Sequence, residues 1–86
     1  MIKSAQIRAG RALLGWSSRE LAKQAGVHIA TVQRMENGNG TPSGSVASLE
    51  KIERALVDAG VEFITSGDSP GVRLNFLPNK VDSKKA

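Results

Sequence analysis

Two short helical patterns lie only a few residues apart between residues 17 and 38, and this closeness constrains the chain more than any other feature. Ser17-Ser18-Arg19-Glu20 reads S-x-x-E, a capping box with Ser17 as N-cap and Glu20 at the third helical position. A helix over 18–25 follows, with Leu21, Ala22 and Ala25 facing inward. Gly26 ends it, because glycine tolerates the left-handed backbone of a tight turn. A second helix over 29–37 turns Val32 and Met35 inward, and Val27 plugs the corner. Ala22 is small enough to let the second helix approach. The pattern predicts an αα-corner.

Helical patterns flank this corner. Residues 4–14 carry Ile7, Leu13 and Leu14 at roughly helical spacing, with Ser4 as N-cap and Gly15 as the stop. Gly10 inside that helix costs about 1 kcal/mol relative to Ala. Residues 37–44 are a loop by composition. Ser45 caps a fourth helix over 46–59, in which Val46, Leu49, Ile52 and Leu56 form one stripe and Gly60 is the stop. The texture then turns β-rich. Residues 61–65 and 72–76 alternate in character around a turn-rich connection, which predicts a hairpin. The expected organisation is a helical unit over 1–60, a hairpin over 61–77 and a basic tail over 78–86.

Composition bears on what such a fold can do. The chain has 86 residues, no Cys and one His. A domain of this size buries only about 60–65% of its unfolded surface, and no disulfide can supplement the core. Oligomerisation is the remaining common route to more buried area. A lone His28, with Glu50 and Glu53 three residues apart and no second His, makes a metal site improbable; no cofactor is expected. No Gly-rich phosphate loop is present, so an enzyme is not expected. No apolar run approaches the roughly 18 residues of a membrane span. Residues 1–6 lack a signal-peptide core, so a cytoplasmic location is expected. Asn39-Gly40-Thr41 reads as a chance match to a glycosylation sequon. Of the net charge of +4, residues 1–44 carry +4, residues 45–76 carry −2 and residues 77–86 carry +2. A basic N-terminal half suits a polyanion, or is a solvated face.

The run Leu13-Leu14-Gly15-Trp16-Ser17-Ser18-Arg19-Glu20-Leu21-Ala22, then Ala25-Gly26-Val27, then Thr31 to Gly38, resembles the Cro/cI phage-repressor (Xre-like) regulators. The resemblance covers about residues 4–59. It implies a mainly α, lambda-repressor-like helix-turn-helix bundle of four helices, here followed by a C-terminal β-hairpin where relatives usually continue with a fifth helix. It further implies binding of double-stranded DNA, with the helix over 29–37 in the major groove. His28, Ile29, Ala30, Gln33 and Arg34 then face bases. Ser17, Ser18, Arg19, Asn37, Asn39 and Thr41 face phosphates. Each has a plainer alternative: Ser17 and His28 as caps, and Gln33 and Arg34 on phosphate or in solvent. Ile29 and Ala30 suit a thymine methyl but not hydrogen-bonded readout. Lys3, Arg8, Arg19 and Lys23 add sequence-blind attraction. Trp16 reads as an anchor at the core edge rather than a stacking platform. The resemblance also implies a structural pair between Arg11 and Glu36.

Two half-sites one helical turn apart require a two-fold dimer. An exposed strand edge offers a pairing surface, so Phe63, Leu74 and Phe76 are the expected homodimer interface. The alternative is a hairpin folded back on its own helices. A different functional class also fits: an antitoxin-type protein that binds DNA and, through its hairpin and tail, a toxin partner.

Overall fold

The computed structural model describes residues 2–38, 40–65 and 70–75. Four helices come first: α1 (Ser4–Leu14), α2 (Ser18–Ala25), α3 (Ile29–Glu36) and α4 (Val46–Asp58). An antiparallel hairpin of β1 (Val61–Ile64) and β2 (Gly71–Leu74) follows. This is the mainly helical bundle with a C-terminal hairpin that the patterning predicts, with strand limits shifted by a residue or two.

The core is one cluster built from every element. Ile7 of α1, Leu21 of α2, Val32 of α3, and Ile52 and Leu56 of α4 have no exposed surface, and Val61 brings β1 into the same cluster. Fully burying a side chain of this kind contributes about 1.5–3 kcal/mol. On α1 the inward face is Ile7, Gly10 and Leu14, at i, i+3 and i+7. Leu13, expected on that face, lies on the far side and is 43% exposed. The core instead takes Ile2, from the segment before the helix. The α4 stripe also shifts. Val46 keeps helical spacing but is 58% exposed, and the buried face runs from Leu49 through Ile52 and Ala55 to Leu56.

Gly10 sits where α1 packs closely on β1. A Cβ there would lie 3.3 Å from Val61 Cγ1 and 3.7 Å from Leu56 Cδ1. The contact with Val61 is tight and that with Leu56 ordinary, so the missing side chain matters chiefly where α1 meets β1.

Ser4 is not the cap of α1. Lys3 is the N-cap, and its N–H donates to the Gln6 side-chain Oε1 at 2.8 Å. Ser4 is the first helical residue; it is fully buried, and its Oγ has no hydrogen-bond partner among the described residues. The Gln6 side chain thus takes the N–H of the N-cap residue itself, a different donor from the one a Ser4 hydroxyl cap would take.

The hairpin folds onto its own chain. Its register pairs Val61 with Leu74 and Phe63 with Val72, and these side chains face the helices. Glu62 pairs with Arg73 on the other face, where the guanidinium meets the carboxylate at 2.9 Å in an exposed ion pair that contributes little. Gln6 joins the hairpin to α1: its Nε2 donates to Ile64 O at 3.1 Å and Gly71 O at 2.9 Å. One buried amide therefore holds the helix start and both strands. At the other end Asn75 N–H donates to Gly60 O at 2.7 Å. Phe63 and Leu74, expected at a dimer interface, are half-buried against this core. Phe76, also expected there, lies outside the described residues, as does the basic tail.

Two substitutions test this account. Gln6→Leu keeps the bulk and removes three hydrogen bonds, so it should destabilise the fold by about 1–3 kcal/mol in urea unfolding. Hairpin amides should then exchange faster while α2 and α3 stay protected. Ser4→Ala removes a buried hydroxyl without a partner, so stability should be unchanged or higher by up to about 1 kcal/mol. A loss of stability would show that the hydroxyl has a partner.

Candidate nucleic-acid interface

Local sequence fixes the ends of α2 and the turn beyond it. Ser17 Oγ accepts from Glu20 N–H at 3.0 Å, as an N-cap should. The reciprocal half of the capping box is replaced: the Glu20 carboxylate accepts from Gln24 Nε2 at 2.6 Å, one turn along. Gly26 closes α2 at φ 73°, with its N–H on Ala22 O and Lys23 O, and Val27 N–H also donates to Ala22 O. Val27 then packs against the core. His28 starts α3 with an extended backbone and makes no side-chain cap bond, so its exposed ring is not used in capping.

The faces of α3 separate cleanly. Val32, Met35 and Glu36 are buried. Ala30, Gln33, Arg34 and Asn37 are exposed at i, i+3, i+4 and i+7, one stripe along the outer side. Ile29 departs from its expected outward position: it is half-buried and packs against the core, in line with Val32 and Glu36. At the start of α2, Ser17 and Arg19 are exposed and Ser18 is half-buried. Thr41 is exposed in the loop after α3, and Asn39 lies outside the described residues. Trp16 is half-buried against the core.

Behind that stripe lies a partly buried ion pair. Arg11 Nε donates to Glu36 Oε2 at 2.7 Å and Arg11 Nη2 to Glu36 Oε1 at 2.9 Å, the two-pronged geometry that gives a guanidinium–carboxylate pair its directionality. Arg11 Nη1 donates to Trp16 O at 3.0 Å. One side chain of α1 thus reaches the end of α3 and the turn into α2 together. The hydrogen bonds that Arg11 donates to the Glu36 carboxylate raise the pKa of its guanidinium above the ordinary arginine value. The Glu36 side chain is 8% exposed and that of Arg11 24%.

Two polar residues act where sequence reading did not place them. Gln6 binds the hairpin, as described above. Arg8, expected as a sequence-blind cation, directs Nη1 to the backbone carbonyls of Glu36 and Gly38. No short-range signal marks either role, since each partner lies at least 28 residues away. Among the described residues no group of three or more His, Cys, Asp or Glu could hold a metal ion. Among the described residues no helix is long and apolar enough to cross a membrane.

Glu36→Ala should strand the Arg11 guanidinium, costing about 2–4 kcal/mol of stability. Glu36→Gln keeps the shape and should cost less. Thermal melting of both variants checks this, and unchanged melting in Glu36→Ala would show that the pair holds nothing.

The helix-turn-helix family model matches residues 7–56, more than half of the chain, and spans α1 to most of α4. No curated protein matches the sequence. With four helices in this order, an αα-corner at Gly26 and an exposed polar stripe on α3, the chain belongs to the Cro/cI-like (Xre) helix-turn-helix family of DNA-binding transcription regulators.

Proposed function

We propose that this protein is a sequence-specific regulator that reads the major groove of double-stranded DNA with α3, acting as a cytoplasmic homodimer without catalysis or cofactor. The observation that supports this most is the stripe Ala30, Gln33, Arg34 and Asn37, which is exposed on a helix braced from behind by the Arg11–Glu36 pair. An α-helix fits the major groove, where base edges are distinguishable. Gln33 suits the paired donor and acceptor of adenine, and Arg34 the two acceptors of guanine. Ala30, and the part of Ile29 left outside the core, suit a thymine methyl. His28, at the start of α3, reaches a base or the adjoining phosphate. Ser17, Ser18 and Arg19 meet phosphate with the free N–H groups at the start of α2. Asn37, Asn39 and Thr41 meet it on the other side. The dimer pairs hairpins along their open strand edges, with the exposed parts of Phe63 and Leu74, and Phe76 beyond them, in the contact.

Selection of bound sequences from random duplex DNA tests the reading. A palindromic site is the expected product; no enrichment at low salt removes the claim. On the selected site Gln33→Ala and Arg34→Ala should each cost about 1–3 kcal/mol and relax preference at one base pair. Arg19→Ala should weaken binding to every sequence and lower the salt slope by about one. Light scattering should give a dimer mass, and a monomer at working concentration would remove the hairpin interface.

A further inference from the structure

α1 and α2 each end on a left-handed glycine, Gly15 at φ 70° and Gly26 at φ 73°, whose N–H bonds to carbonyls of the last turn. α3 ends differently. Its C-cap, Asn37, is extended at φ −78° and ψ 132°, and its N–H goes to Arg34 O. Such an ending leaves helix carbonyls in need of donors. Arg8 of α1 supplies one to the last helical carbonyl, Glu36 O, and its Nη1 also donates to Gly38 O just beyond the helix. A cation at this end also meets the negative pole of the α3 dipole. One turn earlier on α1, Ser4 N–H donates to Gly40 O at 2.9 Å. One turn later, Arg11 holds the Glu36 carboxylate at 2.7 Å. Arg8 and Arg11 share one face of α1, and with the backbone N–H of Ser4 at its start they hold Glu36, Gly38 and Gly40.

We propose that Arg8 is a positioning residue for the DNA-facing surface. By closing α3 from α1 it holds Asn37, and the segment leading to Thr41, in register with the phosphates that the α3 stripe needs beside it. This rests on the DNA-binding reading and deepens it, because it turns one cation of the basic half inward. Arginine carries several N–H donors in a fixed plane, whereas lysine carries a compact ammonium on a flexible stem. A positioning role and a charge role therefore separate under Arg8→Lys.

The full chain, Arg8→Lys and Arg8→Gln are compared below their melting temperatures. Amide exchange at Ser4 and Asn37 is read in the free protein. Affinity is read against the selected duplex and a scrambled duplex over a range of salt. In Arg8→Lys both amides should exchange about tenfold faster, and selected-duplex affinity should fall about tenfold, with scrambled-duplex affinity and salt slope unchanged. Arg8→Gln should add an equal, salt-dependent loss on both duplexes. Full recovery of exchange and discrimination by lysine, or an equal loss on both duplexes as the whole effect of glutamine, overturns the proposal. Wild-type protein that binds no duplex overturns the DNA reading and the positioning role together, while exchange in the free protein still decides whether Arg8 holds the segment.

Discussion

The orientation of α3 depends on the two-pronged contact between Arg11 and Glu36. A helix of eight residues, Ile29–Glu36, has little stability of its own and takes its place from what it packs against. Val32 and Met35 seat it on the core, but apolar contacts are non-directional and leave rotation and slide weakly specified. The guanidinium–carboxylate pair adds direction. Because Arg11 also binds Trp16 O, the same side chain ties α3 to the turn that launches α2. The two helices of the corner are thus referenced to a common point on α1.

α1 acts as the spine of the molecule, each face of it serving a different neighbour. Ile7, Gly10 and Leu14 meet the core, and the absent side chain at Gly10 eases the close approach of Val61 in β1. Arg8 and Arg11 meet the end of α3, and the Ser4 N–H meets Gly40 O in the loop beyond it. Gln6 meets the hairpin. The hairpin adds Val61 and the half-buried Phe63, Val72 and Leu74 to a core that would otherwise be thin for so short a chain. It does so through backbone carbonyls bound to one buried amide, so its docking is directional as well as apolar. The opposite face, with Glu62 and Arg73, stays in solvent.

Much of this was legible in the residues, for reasons of range. The limits of α2 follow from Ser17 and Gly26, whose effects act within one turn. The inward positions of α2 and α3 follow from helical spacing around Leu21, Val32 and Met35. Two core assignments moved, Leu13 and Val46, both apolar residues placed in the core by spacing alone. Spacing states which residues share a face but not whether a neighbour covers it. Ser4 was legible as a candidate cap, yet Gln6 took that function from within the helix. On the outer side of α3 the polar stripe could be read directly, whereas the half-burial of Ile29 could not.

The amino-acid sequence by itself determined the element order, the corner at Gly26, the hairpin and the basic bias of the first half, because capping, turn chemistry and periodicity act over a few residues. The implied pairing of Arg11 with Glu36 came from the family pattern rather than from spacing. Only the tertiary structure decided what Gln6, Arg8 and Gly10 do. Gln6 reaches carbonyls 58 and 65 residues away and Arg8 one 28 residues away, separations over which no local rule holds. These roles exist only once the helices have packed and brought orphan backbone groups within reach of side chains that local patterning leaves free to point anywhere.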